Sequence, residues 1–473
     1  MLLRHTISSI AFFINGGIQK KSWKTFFDDH SSSSHNHTMK LIQSIPLVVG
    51  IKGAPISLST KGVSFKDVNE DALNDAKRSL DEFFTPDREE ATSRITNSLD
   101  VYRGVLTEAR GLNAQYPTNA WSKYVELYTI IPTIINRAIL DVRVGTMDST
   151  FHAFCNAELP GSSISALNHV FKSHYPDTTL DWVASSYKPD GVGTMLEDKY
   201  GFLRGNPERW MITSEFASSV GASTAEEEEF NGDMMNTAVV KRCISMYRSR
   251  NPAGCDLYSH DAGIDVTVDT KDENGNVIFR AYEDQERANF KLHLGCAIVG
   301  LETLREGGTF IAKQYTLYED NSRRLAELYA NFFDEFYLIK PVTSRPYNSE
   351  SYLVGVGYRR PRGADELISR MYDLHSLDTL DVISKHAGKK VNDYVQIFTD
   401  DLVDGAYVQA GITEYMRISA GRQAIFLKEM VRYLRNDRVM SRKAYTTVVD
   451  EWMKKAKLRE LSRKDELAAK VHD

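Results

Sequence analysis

The sequence predicts an α/β protein: a parallel sheet with crossover helices, preceded and followed by helical regions. Three observations carry this. Between about 150 and 360, short apolar runs alternate with amphipathic stretches, the rhythm of strand–helix–strand units. From about 65 to 145, apolar residues recur at three- and four-residue spacing behind acidic first turns, the pattern of helices. From 364 to the end no run reads as a strand.

Strands are expected at 151–156, 180–186, 255–260, 308–313, 335–339 and 351–358. Helices are expected at 162–173, 234–249, 284–305 and 320–333. The stretch 264–282, centred on Asn274-Gly275, reads as a hairpin insertion, and Glu226 to Glu229 as a solvated loop. The chain thus divides into a partly disordered leader (1–64), a helical region (65–149), an α/β core (150–362) and a C-terminal helical region (363–473).

Composition narrows the class further. Of 473 residues, 42% are hydrophobic and 26% charged, which excludes fibrous and wholly disordered chains. The length allows about two to four domains. Lys and Arg number 58 against 64 Asp and Glu, a net charge of −6, so a polyanion would need a local basic surface. Residues 428–473 hold such an excess, 13 basic against 8 acidic, either an RNA guide or a solvated helix surface. Cys155, Cys243, Cys255 and Cys296 form no CxxC pair and have no His at zinc spacing; they read as free thiols. Apolar stretches break at Asn15-Gly16-Gly17 and at Pro132, short of a membrane span. Residues 1–27 carry Arg4, Lys20, Lys21 and Lys24 with no acid. They read either as an organelle-targeting segment or as a disordered leader with Met39 as the true start.

In an open α/β sheet, ligands bind at the carboxyl ends of the parallel strands. On that edge the first core strand runs into Asn156-Ala157-Glu158-Leu159-Pro160-Gly161-Ser162. Its Pro-Gly turn lets backbone approach a ligand and aims helix N–H groups at it. Asn231-Gly232-Asp233 opens a later helix, with Asp233 a natural N-cap. Asp261 ends strand 255–260, Lys313 ends strand 308–313, and Glu350 precedes strand 351–358. If that last strand runs antiparallel, the three meet in one crevice. Two carboxylates around a lysine can orient it, and desolvation can lower its pKa toward base work.

Leu294 to Tyr358, with Gly307-Gly308-Thr309-Phe310-Ile311-Ala312-Lys313 and the Ser344-Arg345-Pro346…Asn348-Ser349-Glu350…Tyr352 string, resembles FtsJ-like RNA ribose 2′-O-methyltransferases. The 156–161 turn, Asp181 to Tyr187, Tyr200-Gly201 and Asn206-Pro207 look most like the versions in large DNA viruses. The resemblance implies a Rossmann-like sheet that binds S-adenosyl-L-methionine and methylates a ribose 2′-hydroxyl, on cap-proximal mRNA nucleotides or on an internal ribosomal-type site. A catalytically inactive RNA-binding relative is the third reading. The family's Lys-Asp-Lys-Glu tetrad carries over as Asp261, Lys313 and Glu350, with Lys313 the base or the group that orients the hydroxyl. The first lysine is either Lys123, in Ala120-Trp121-Ser122-Lys123, or lost, since Asn136-Arg137-Ala138-Ile139-Leu140 is followed by Asp141.

By the same resemblance, the cofactor would rest on Asn156, Ala157, Glu158, Pro160, Gly161 and Ser162, with Asp233 near its adenine. Ser162 stands where the family prefers glycine, and would crowd the site if that position needs a positive φ. Arg345, Arg359, Arg360 and Arg362 lie beside Glu350 in sequence and are candidate RNA contacts. The partners implied are RNA, with a capped 5′ end, and a protein docked on the helical extensions; no membrane is implied. The implied location is the cytoplasm, or the host cytoplasm or virion for a viral protein.

Overall fold

The computed structural model describes residues 47–52, 70–130, 134–135, 150–188, 198–222, 230–264, 270–271, 277–279, 285–377 and 405–467. Strand β1 (Leu47–Lys52) precedes four helices: α1 (Glu70–Arg78), α2 (Glu89–Ser98), α3 (Tyr102–Gly111) and α4 (Asn119–Ile130). Next come β2 (Thr150–Asn156), α5 (Ser162–His174), β3 (Thr179–Ala184), α6 (Thr237–Arg250) and β4 (Cys255–His260). The short pair β5 (Thr270–Lys271) and β6 (Val277–Phe279) leads to α7 (Gln285–Thr303), β7 (Leu304–Gln314), α8 (Asp320–Phe332), β8 (Phe333–Lys340) and β9 (Ser351–Tyr358). Helices α9 (Ala364–His375), α10 (Gly405–Arg435) and α11 (Thr446–Ala456) follow.

Seven strands form one sheet in the order β1-β8-β9-β7-β4-β2-β3. Pairs β2–β3, β2–β4 and β4–β7 are parallel, whereas β7–β9, β8–β9 and β1–β8 are antiparallel. Every residue of β4 and β9 is buried, as expected for central strands covered on both faces. The order reverses between β2 and β4, because β2 is followed by β3 on one side and then β4 on the other. That reversal is where an α/β sheet opens a ligand crevice.

The α/β expectation and the helical flanks are both borne out. Some boundaries move: β7 begins at Leu304, four residues before the expected strand, and α7 ends at Thr303. β5 and β6 pair antiparallel, as a hairpin in 264–282 requires; Asn274-Gly275 lies outside the described residues. So do the segment 1–46, Asn136 to Asp141 and Glu226 to Glu229. One correction concerns 47–52, read above as leader. Its Leu47 and Val48 pair with Lys340 and Ile339 of β8, making it an edge strand. Six residues are too few for periodicity to separate a strand from an apolar leader.

The extensions are built onto the sheet. α10 packs on β1, α1 and α8, and α11 on α3 and α4. α4 in turn packs along α5, the helix that follows the β2 turn. The four cysteines are buried thiols. Among the described residues, no helix is long and apolar enough to cross a membrane.

Candidate active site

Strand register assembles the site. Asn156 pairs with His260 and His260 with Ala312, so Asp261 and Lys313 each stand one step beyond a shared rung. Lys313 pairs with Tyr352 on antiparallel β9, which brings Glu350 back to the same edge. The Lys313 ammonium lies 3.6 Å from Asp261 Oδ1 and 3.7 Å from Glu350 Oε2. From the other side, Lys123 on α4 donates to Glu350 Oε1 at 2.7 Å. The structure therefore gathers all four candidate catalytic residues, with Lys123 against Glu350.

Burial differs across the four. Lys123 and Glu350 are buried, whereas the side chains of Lys313 and Asp261 are 17% and 20% exposed. Buried charges persist only when their remaining hydrogen-bond capacity is filled. Glu350 Oε1 also accepts from Ser344 Oγ at 3.2 Å, and Asp261 Oδ1 from the Tyr352 hydroxyl at 3.3 Å. The Tyr352 ring lies 5.8 Å from the Lys123 ammonium, a cation–π distance. Ser344 and Tyr352 stand in the family-like string, but nothing in their spacing discloses these roles.

Electrostatics correct one expectation. Burial alone presses the Lys313 pKa down, but Asp261 and Glu350 outweigh it and hold the ammonium above its ordinary value. Burial likewise opposes ionisation of Glu350, and Lys123 and Lys313 overcome it, keeping the carboxylate well below the usual range. The site at rest is two interleaved ion pairs, with Lys313 protonated. Proximity of opposite charge exceeds desolvation here because both carboxylates lie within 4 Å.

The β2 turn is shaped mostly by its own side chains. Asn156 Nδ2 donates to the Tyr258 hydroxyl at 3.0 Å, and its Oδ1 accepts the Ala157 N–H at 2.9 Å. Ala157 has φ +54°, and the Leu159–Pro160 peptide is cis. Gly161, at φ +107°, precedes α5; a Cβ there would meet Phe202 Cδ2 at 2.5 Å. Ser162 is the first helical residue, outside the positive-φ region, and its hydroxyl accepts from Thr118 Oγ1 at 2.9 Å. The expected crowding at Ser162 is thus absent, since Gly161 makes the left-handed bend.

Two further expectations change. Glu158 turns inward, accepts the Ser163 N–H at 2.7 Å and is hydrogen-bonded to the Ser163 hydroxyl. The opening amide of α5 that was expected to face a ligand is therefore taken by Glu158, whose pKa burial raises to about 8. Asp233 does not cap α6: Asn236 does, accepting the Ala238 N–H at 2.9 Å. Asp233 accepts the Met235 N–H instead, in a loop tied to the end of β3 by Lys188 N–H to Asn231 O at 2.7 Å. The turn is tied there too, by Glu158 N–H to Ser185 O at 3.0 Å.

Two buried hydroxyls test whether S-adenosyl-L-methionine fits this edge. Tyr124 Oη and Ser185 Oγ have no hydrogen-bond partner among the described residues. Buried polar atoms are seldom left unpaired without a ligand or water to serve them. Tyr124 lies in the field of Asp261 and of Glu158, which add to burial in raising its pKa. Tyr124 is the neighbour of Lys123 on α4, and Ser185 meets the turn through its carbonyl, which accepts the Glu158 N–H. A polar ligand there suits these residues.

The arginines separate. Arg345 stays near the site, its guanidinium 3.5 Å from buried Asp100 and over the rings of Tyr102 and Tyr347. Arg359, Arg360 and Arg362 follow the far end of β9, roughly 30 Å along the strand direction at ~3.3 Å per residue. Arg359 faces Asp334, and Arg360 faces Glu302 and Asp365. The expectation that these three lie beside Glu350 is wrong, because an eight-residue strand intervenes.

The switch point of the sheet thus carries a Lys-Asp-Lys-Glu cluster beside a tight turn. Residues 220–358 match the family described as FtsJ-like methyltransferase, so the resemblance read from the sequence is borne out. That span holds Asp233, Asp261, Lys313 and Glu350; the β2 turn and Lys123 lie before it. Among relatives, "Probable methyltransferase EP424R" of African swine fever virus is 34% identical over 306 residues, 63% of this chain and 64% of the viral protein. "Cap-specific mRNA (nucleoside-2'-O-)-methyltransferase 2" of Mus musculus is 29% identical over 266 residues, 55% of this chain and 30% of that one. "Uncharacterized protein L511" of Acanthamoeba polyphaga mimivirus is 25% identical over 267 residues, 56% and 29% of the two chains. The chain thus spans under two thirds of the length of these relatives.

Proposed function

We propose that this chain transfers a methyl group from S-adenosyl-L-methionine to an RNA ribose 2′-hydroxyl, on cap-proximal nucleotides of mRNA. The observation that carries it is the Lys313 ammonium between Asp261 and Glu350, with Lys123 behind Glu350. Relatives named as cap-specific mRNA methyltransferases support the choice of RNA. The cofactor supplies a methyl already activated on a positively charged sulfur. What remains for the protein is alignment and proton removal.

The partly exposed pair, Lys313 and Asp261, meets the ribose, while buried Glu350 and Lys123 hold Lys313 in place. Lys313 must first release its resting proton to solvent, which its partly exposed side chain allows. The neutral amine would then take the proton of a ribose hydroxyl held beside it, leaving the 2′-oxygen to accept the methyl group that the cofactor would supply. Asn156 to Ser162 and Asp233 form the cofactor side of the crevice, with Tyr124 and Ser185 offering hydroxyls. Residues 150–362 are the methyltransferase domain of this reading, acting in the cytoplasm, with a protein partner on the extensions.

The test is transfer from labelled S-adenosyl-L-methionine to capped, uncapped and structured RNAs, with the modified atom mapped. Label on the 2′-oxygen of capped RNA, lost in Lys313→Ala, is the expected result. Transfer only to uncapped or structured RNA would remove the cap assignment. No transfer, with Lys313→Ala unchanged, would remove the enzyme reading.

A further inference from the structure

The loop between β8 and β9, residues 341–350, carries Glu350 and has no strand beside it to take its backbone hydrogen bonds. Buried peptide groups must nevertheless be paired. Three side chains do this, two of them buried and Lys340 half-buried. Glu126 on α4 accepts the Val342 N–H at 2.7 Å and the Thr343 N–H at 3.1 Å. Lys340 donates to the carbonyls of Asn348 at 2.9 Å and Glu350 at 2.7 Å. Gln423 on α10 donates to the Tyr347 carbonyl at 2.9 Å. Helix α11 joins through Trp452, whose indole N–H donates to Glu126 at 3.2 Å. Phe426, one turn beyond Gln423, stacks on Tyr347 at 6.2 Å.

Neither Glu126, Gln423 nor Trp452 belongs to the span that matches the methyltransferase family, residues 220–358. We infer that the C-terminal helices α10 and α11 are a clamp on the Glu350 loop, making Gln423 and Glu126 positioning residues for the tetrad. The link to catalysis rests on the methyl-transfer reading; the clamp itself does not. It gives the C-terminal extension a defined task, which is to fix the carboxylate that both lysines contact. Burial of Gln423 (3% exposed) and Glu126 (6%) keeps water from replacing these bonds, so losing one frees the loop.

The experiment uses the full chain with Gln423→Met, which keeps the side-chain volume and removes the donor, and Trp452→Phe, which removes only the indole N–H. Amide hydrogen exchange is followed in 341–350 and, as a control, in β4 and β7. Exchange should quicken roughly tenfold in the loop and not in the strands, as a locally lost hydrogen bond predicts. Methyl transfer should lose kcat by a similar factor while KM for S-adenosyl-L-methionine stays within twofold. Unchanged loop exchange in both folded variants, or equal quickening throughout the sheet, would overturn the clamp. Quickened exchange with unchanged kcat would overturn its catalytic meaning. If the parent chain methylates no RNA, the exchange result still decides the clamp while the functional reading falls.

Discussion

Lys123 Nζ lies 2.7 Å from Glu350 Oε1, joining a helix that precedes the sheet to the loop that closes it. Both side chains are buried, at 7% and 11% exposure. Removing one member of such a pair leaves a buried charge uncompensated, at a cost of about 3–5 kcal/mol. Lys123→Met is expected to lower stability by about that much in urea denaturation. Lys123→Met combined with Glu350→Gln should recover most of the stability and none of the methyl transfer.

The raised pKa of Lys313 sets a pH dependence. Below that pKa, the deprotonated fraction grows tenfold with each pH unit, so a rate needing the free amine climbs with pH. Single-turnover transfer should therefore rise about tenfold per unit from pH 6 to 9. Lys313→Arg keeps the charge but cannot deprotonate in this range, and should lose about two to four orders of magnitude. A flat wild-type profile would show that Lys313 orients the hydroxyl without taking its proton.

Glu158 affects stability with the opposite pH sense. Its folded pKa of about 8 exceeds the ordinary 4.5, so between these values the folded state holds a proton that the unfolded state has lost. Stability then falls as pH rises through that window, by up to about 1.4 kcal/mol per unit. Glu158→Gln, which cannot titrate, should flatten that part of the profile in denaturation at pH 5 and 8.

Gly161→Ala forces an alanine to φ +107° with its Cβ 2.5 Å from the Phe202 ring. The left-handed bend and the overlap together should cost about 2 kcal/mol or more. The measurement is thermal or urea denaturation, paired with calorimetric titration of S-adenosyl-L-methionine, whose affinity should fall.

Arg359 and Arg362, both exposed, lie at the sheet end opposite Glu350. Arg359→Glu with Arg362→Glu should leave the affinity for capped RNA within twofold in a filter-binding assay. A drop beyond tenfold would mean that RNA wraps to the far edge.

Much of this protein was legible in one dimension. Alternating apolar runs and amphipathic stretches predicted the α/β core because burial imposes its period on each segment locally. Asp261, Lys313 and Glu350 were legible because each marks a strand end, and strand ends share an edge once pairing directions are known. What only the tertiary structure decided depends on distance through space. Lys123 meets a partner 227 positions away, and nothing local distinguishes it from any helix lysine. Arg359, beside Glu350 in number, lies a strand's length from it. The direction of the Lys313 shift was hidden too, since burial and two nearby carboxylates act in opposite senses and only their distances decide which prevails. The extensions read as bare helices because their role is held in Gln423 and Trp452, whose partners no periodicity records.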